Sequence, residues 1–354
     1  MSRPTGGGCN NWSKLVADFP PHGDDWYRAR LALPAARPRV VIDTDAANEI
    51  DDQFALAWAL MANEALQLEA VYAAPFSFAH RRLALPLAPA DAMPFNPPAV
   101  GMERSYQEIL HLFDLLGLPS QGLVWRGSVG YLPSAREPRR SDAVDHLIAT
   151  ARASKPDAPL YVVALGCVTN VASALLLAPD IVDQVVVVWT SGYPSHAPHV
   201  NDSFNLEQDL AASQILLDSG VPLVYLPGFH VGAQLRLSLA EVERYMQGRG
   251  AIGNYLHHLF THNPLWPILG LDGKQPHSWV IWDVINIAWL LNPQWVSSEL
   301  VRTPRLGADR RWRSDPARHW MREAFAVQRD AIFNDFFGRL DQAGLSLPPQ
   351  GPSS

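Results

Sequence analysis

The chain has 354 residues, of which 48% are hydrophobic and 18% charged. That balance excludes a disordered chain and leaves room for one large core or two small ones. With 28 basic against 35 acidic side chains the net charge is −7, which argues against a sequence-independent grip on nucleic-acid phosphates.

Residues 1–37 are rich in Gly and Pro without a sustained period, so they read as a loose leader. The start, Met1 to Gly8, has no apolar core of a secretory signal, and no stretch nears the roughly 18 apolar residues of a membrane span. The expectation is a soluble, cytoplasmic protein that works on neither membranes nor nucleic acids. Cys9 and Cys167 are too few for a disulfide framework or a thiolate metal site, and Cys167 reads as a buried small residue.

The first buried strand is expected at Arg39-Val40-Val41-Ile42. Similar apolar runs lie at Leu160–Leu165, Val185–Trp189 and Val221–Leu226. Helical patterns alternate with them, at Asp51–Met61, Met102–Leu116, Ser141–Ala153, Asn170–Leu177 and Leu206–Ser219. This order predicts an α/β fold with a mainly parallel sheet covered by helices on both faces. Residues 75–101 read as a long surface loop. Beyond residue 230 the pattern turns helical, with a capping box at Ser238-Leu239-Ala240-Glu241 and a helix over about Trp282–Leu291. An amphipathic stretch from Ser314 to about Leu340 completes a helical C-terminal layer. The expected organisation is a single domain over 38–345 followed by a Pro/Gly/Ser tail at 346–354.

The densest chemistry is Asp43-Thr44-Asp45-Ala46-Ala47-Asn48-Glu49-Ile50-Asp51-Asp52, which follows the first strand. Ligands of open α/β sheets gather outside the carboxyl ends of the strands, where this segment falls. Asp43 and Asp45 are two apart and point the same way at a strand end. Asp51 and Asp52 open the next helix, whose positive end favours carboxylates. Helix capping explains one or two acids, not five in ten positions with no Lys or Arg among them. A bound divalent cation is the natural counter-charge, and an all-carboxylate site suits calcium or magnesium. Asp283, at the start of a distant apolar segment, offers a further acid, although on its own it reads as a helix N-cap.

The Asp-x-Asp…Asp-Asp signature resembles that of the nucleoside hydrolases, the inosine-uridine-preferring N-ribohydrolase superfamily. Three further segments agree in order and spacing. Leu165-Gly166-Cys167-Val168-Thr169-Asn170 resembles the family's Gly-x-x-Thr-Asn turn, and Asp202-Ser203-Phe204-Asn205 its Glu-Phe-Asn segment. Trp282-Asp283 resembles its His-Asp or Trp-Asp pair. The resemblance runs from about residue 38 to 300.

It implies a nucleoside-hydrolase-like, Rossmann-like fold and calcium-dependent hydrolysis of the N-glycosidic bond of ribonucleosides, with release of ribose and free base. Asp45, Asp52 and Asp283, with the Leu165 carbonyl, would bind calcium, and Asp45 would also be the general base toward a calcium-bound water. Asp51 and Asn205 would hold the ribose hydroxyls, and Asp43 would support the loop. The family often forms homodimers or homotetramers.

The chain departs from the pattern in three places. Five residues, Ala46 to Ile50, separate the acid pairs where the family usually has three, so that Asn48 and Glu49 reach toward the ligand. Phe76-Ser77-Phe78 stands near the place of an expected Asn, and Ser203 replaces a Glu. Trp282, in place of the family's frequent His, resembles the purine-preferring branch, where an aromatic ring stacks on the base. His196, His199 and His230 follow strand ends but read first as loop histidines. Two other readings remain open. One is a calcium-dependent ribose or nucleoside binder without turnover. The other is a haloacid-dehalogenase-like phosphotransferase with Asp43 as nucleophile.

Overall fold

The computed structural model describes residues 19–88, 95–155, 157–271, 273–274 and 276–346. Strands β1 (Arg39–Thr44), β2 (Gln67–Ala73), β3 (Val124–Arg126), β4 (Leu160–Ala164), β5 (Val185–Ser191) and β6 (Leu223–Pro227) build the sheet in the order β3-β2-β1-β4-β5-β6. Trp320–Val327 then adds parallel to β6, and Val296–Arg302 closes the edge antiparallel. Every pairing from β3 to Trp320–Val327 is parallel.

Alternation along the strands divides the core between the two faces. Val40, Ile42, Tyr161, Val163, Val186 and Val188 pack on one side with the helices Asp51–Met61, Pro98–Leu115 and Val284–Leu291. Val41, Leu160, Val162, Val185, Val187 and Trp189 pack on the other with Asp142–Arg152, Thr169–Leu177 and Leu210–Asp218. Both faces are covered, which is why the strands read as continuous apolar runs rather than alternating ones.

The chain leaves β1 toward β2 and β3, then returns to place β4 on the other side of β1. This reversal of strand order opens a crevice between the carboxyl ends of β1 and β4, the usual place for a ligand in an open α/β sheet.

The structure departs from the sequence expectations in three regions. Within the expected leader, Asp24–Arg30 is helical and buries Tyr27, whose hydroxyl donates to the Gly220 carbonyl at 2.7 Å. Residues 1–18 lie outside the described residues, as do 347–354 of the expected tail. Within the expected surface loop, Phe76, Ser77 and Phe78 are buried, and a short 3-10 helix runs over Ala79–Ala84. The amphipathic stretch after Ser314 divides into the strand Trp320–Val327 and the helix Arg329–Ser346. Met321, Ala324 and Phe325 are spaced as on a helix. Slots beside β6 and Val296–Arg302 draw the segment into the sheet, and such tertiary pairing overrides local preference. The capping box at Ser238 forms, with its side chain and that of Glu241 bonded reciprocally to the helix start.

Candidate active site

Strand alternation sorts the acidic segment. Asp43 shares the face of Val41, and its Oδ1 accepts from Asn170 Nδ2 at 2.8 Å. Thr44 points to the opposite face and donates its hydroxyl to Asp52, at the start of the helix Asp51–Met61. Asp45 follows in the loop, fully buried, and its Oδ2 accepts from Asn48 Nδ2 at 2.7 Å and Gln208 Nε2 at 3.4 Å. Its Oδ1 has no hydrogen-bond partner among the described residues. Gly166, just after β4, is pressed against this carboxylate, since a Cβ there would stand 2.6 Å from Asp45 Oδ1. The glycine lets the β1 and β4 ends meet, and Trp189 Nε1 holds its carbonyl at 3.2 Å.

Asp51, Asp52 and Asp283 come together although Asp283 is far away in sequence. Each offers a carboxylate oxygen within 4.8 Å of the others, and all three are buried. Asp283 occupies the N-cap position of Val284–Leu291, but its side chain makes no capping bond, so the capping reading does not account for it. Asp45 lies outside this trio, although its charge is felt by all three members.

Burial dominates the electrostatics. It raises Asp43 to about 7 against the help of Asn170, and Asp45 to about 6 against Asn48 and Gln208. Glu49 is raised to about 7, with the Trp279 hydrogen bond opposing. For Asp51, Asp52 and Asp283 burial acts first and the neighbouring carboxylates second, and together they hold these groups well above the usual range.

The trio opens into a pocket lined by residues that include Asn48, Glu49, Leu165, Asn205 and Trp282. Asp43 and Asp45 lie outside this lining. The Leu165 carbonyl accepts from Asn205 Nδ2, and Asn205 also reaches the Thr190 carbonyl at 3.2 Å. Trp282 meets Phe229 edge to face, with ring centroids 6.0 Å apart. Among the described residues no His or Cys lines the pocket, so its donors are hard oxygens, which fit calcium or magnesium rather than a softer metal.

A sequence model described as "inosine-uridine preferring nucleoside hydrolase" matches residues 40–318. The chain belongs to that nucleoside hydrolase family. It is 27% identical over 174 residues to the uncharacterized protein C1683.06c of Schizosaccharomyces pombe, a match covering 48% of this chain and 54% of that one. Against the pyrimidine-specific ribonucleoside hydrolase RihB of Escherichia coli O1:K1 / APEC it is 26% identical over 171 residues, 47% and 52% of the two chains. This nucleoside hydrolase family member thus spans about half the length of the curated relatives it matches. Its fold is similar to that of the purine-preferring ribonucleoside hydrolase from Gardnerella vaginalis, with TM-score 0.65 and 20% identity over 86% of this chain and 99% of that one. The inosine-uridine preferring enzyme of Bacillus anthracis gives 0.58 and 16% over the same shares.

Three residues in or beside the site of this family member, Arg81, Phe204 and Gln208, receive no role from the sequence. Arg81 lines the pocket from the segment read as a surface loop, donating to Glu207 and to the Asp202 carbonyl. Phe204 stacks on Phe78 with centroids 4.2 Å apart. Gln208 reaches Asp45 one turn beyond the Phe-Asn segment, a spacing that the helical pattern there would have revealed. His199 and His230 pack around Tyr193 instead, and His196 also lies outside the lining. Among the described residues, no helix is long and apolar enough to cross a membrane.

Proposed function

We propose that the protein hydrolyses the N-glycosidic bond of ribonucleosides in a calcium-dependent reaction, with purine nucleosides preferred. The observation that carries this reading is the buried trio Asp51, Asp52 and Asp283 at the floor of a pocket beside the β1–β4 crevice. Three mutually repelling carboxylates out of water are costly unless a cation compensates them.

Asp45, Asp52 and Asp283, with the Leu165 carbonyl, are proposed to hold the calcium, and Asp51 stands beside them in the same trio. When bound, a hard divalent cation supplies Lewis acidity toward a water and a vicinal diol. The protein's own groups do the rest. Asp45, whose Oδ1 has no partner among the described residues, is assigned the proton of the attacking water. Asp51 and Asn205 accept from the ribose hydroxyls, and Asn48 holds Asp45 in place. The surrounding carboxylates favour the positive charge that develops on the sugar as the bond to the base breaks. Trp282 offers its ring to the base, and the departing purine takes a proton from solvent at a basic ring nitrogen while the proton of the attacking water passes to Asp45. Asp43 supports the loop from beneath through Asn170.

A panel of purine and pyrimidine nucleosides, assayed for free base with calcium and after chelation, tests the proposal. Release of purine bases that stops on chelation is expected. Calcium-dependent binding with no base released would instead favour a nucleoside-binding homologue.

A further inference from the structure

Asp45 is held by two side-chain amides on one oxygen. Asn48 Nδ2 donates to Oδ2 at 2.7 Å and Gln208 Nε2 at 3.4 Å. The two bonds differ in what they tie together. Asn48 belongs to the same turn, where its backbone amide donates to the Asp45 carbonyl at 2.9 Å, so it moves with the carboxylate. Gln208 lies 163 positions away, between the short helix Phe204–Glu207 and the helix Leu210–Asp218. Of the two, it is Gln208 that fixes Asp45 relative to the body of the fold.

Gln208 is buried and is itself held from a third direction. Its Oε1 accepts from the Tyr131 hydroxyl at 2.8 Å, and Tyr131 belongs to the segment that follows β3. The next residue along each segment doubles the grip. The Leu132 amide donates to Asp209 Oδ2 at 3.0 Å, and the Thr169 hydroxyl donates to the same oxygen at 2.6 Å. Asp209 Oδ1 caps the helix that follows, accepting from the Ala212 amide at 3.0 Å. Adjacent residues thus clamp adjacent residues, which leaves Gln208 little freedom to swing.

The polarity of the chain follows from its end. An ionised carboxylate can only accept, so Gln208 turns its amide nitrogen to Asp45 and its oxygen to Tyr131, whose hydroxyl donates. A reversed amide would set oxygen against oxygen at Asp45. Tyr131 therefore selects the one orientation of Gln208 that supports the carboxylate. Neither Gln208 nor Tyr131 lines the pocket.

We infer that Gln208, oriented by Tyr131, is a positioning residue that fixes the Asp45 carboxylate through Oδ2 and leaves Oδ1 for the attacking water. This inference rests on the proposed hydrolase reading and adds to it two residues from outside the pocket.

The test compares the wild type, Gln208→Met, Tyr131→Phe and the double variant on inosine at saturating calcium. Met keeps the length of the side chain but cannot donate. Gln208→Met should lower kcat about 10- to 100-fold, the usual cost of a lost supporting bond. KM should stay within about twofold, because neither residue touches substrate. Tyr131→Phe should lower kcat less, since the amide is freed rather than removed. The double variant should be no slower than Gln208→Met, because Tyr131 acts through the amide. A residue that only stabilises the fold would shift the urea midpoint and leave kcat unchanged, and that result in Gln208→Met would overturn the inference. Losses that multiply in the double variant would overturn it too, since the two residues would then act separately. Should the wild type release no base, the hydrolase reading fails by itself. Crystal structures of the wild type and Gln208→Met then still decide. The inference requires the Asp45 carboxylate to turn or to spread over two conformers in the variant, and an unmoved carboxylate would overturn it.

Discussion

Asn170, at the start of the helix that follows β4, holds Asp43, 127 positions earlier near the end of β1. Its Nδ2 donates to Asp43 Oδ1 at 2.8 Å, and its Oδ1 accepts from the Ser128 amide at 2.8 Å. Asp43 Oδ2 has no partner among the described residues, so Asn170 supplies the side-chain hydrogen bond on which this buried carboxyl depends. Asn170→Ala should therefore destabilise the fold by about 1–3 kcal/mol, the cost of a buried polar group left unsatisfied. Asn170→Asp should cost more, because it sets a second carboxylate against the first. Urea unfolding of the three proteins measures this, and a midpoint unmoved by Asn170→Ala would show that Asp43 is satisfied in another way.

The same pair shows what a sequence can disclose. The strand runs, the helix at Asp51–Met61 and the ordered acidic motifs are legible because burial on both faces and helix dipoles act over a few residues. From these the crevice, Asp51, Asp52 and Asp283 follow, and the family resemblance adds Asn48, Leu165, Asn205 and Trp282, all of which line the pocket. Arg81 and Phe229 were not legible, since only the folded chain brings their segments to the pocket. The strand Trp320–Val327 was misread for a related reason: its partners lie at Val296–Arg302 and β6, and no local pattern announces them.

Calcium should stabilise the protein more at pH 8 than at pH 5. Asp51, Asp52 and Asp283 have folded-state values raised well above 3.8, first by burial and then by one another. A raised carboxyl contributes stability that is fully present below its unfolded value and is lost as pH rises through its folded value. The calcium-free protein must then weaken with rising pH, while a cation, which needs the ionised forms, binds better. Thermal melts in chelator and in calcium at both pH values measure the difference, which Asp283→Asn should shrink. An equal calcium shift at the two pH values would contradict the assignment of these acids.

Asp45→Asn should preserve the fold and cut turnover by about 10²-fold or more, since loss of a general base costs 10²–10⁴. The Asn keeps an oxygen for Asn48 and Gln208, so the effect should fall on kcat once calcium is saturating. Unchanged turnover would transfer the proton-accepting role to Asp51.

His319 gives a pH dependence of the opposite sign, remote from the pocket. It stacks on Tyr27 with centroids 5.3 Å apart, and its Nε2 has no partner among the described residues. Burial first, and then the charges of Arg318 and Arg302, lower its value to about 3. The neutral ring thus contributes stability that is present above pH 6.5 and is lost as pH falls toward 3. In the calcium-free protein His319→Phe should flatten this acid limb while retaining the stack on Tyr27. Denaturant midpoints between pH 4 and 7 read it out, and parallel curves for the two proteins would exclude the histidine as the cause.

Trp282 is the proposed determinant of base preference. It precedes Asp283, so the same turn that brings a carboxylate to the trio brings an indole to the pocket wall. Gly228 and Gly232 flank the ring, and a Cβ at either would meet its Cε3 in ordinary van der Waals contact, at 3.9 or 3.7 Å. Phe229 meets it edge-on at 6.0 Å, which fixes its plane. An indole cannot protonate a leaving group at neutral pH, so its contribution must come through contact with the base. Stacking is worth roughly 1–3 kcal/mol per base, about 5- to 150-fold in rate if it is realised in the transition state. Purines offer the larger face and a basic ring nitrogen that takes up the proton on departure. Inosine should therefore exceed uridine as substrate, and Trp282→Ala should lower kcat/KM for inosine far more than for uridine. Equal losses on the two substrates, or a wild-type preference for uridine, would leave Trp282 with a packing role only.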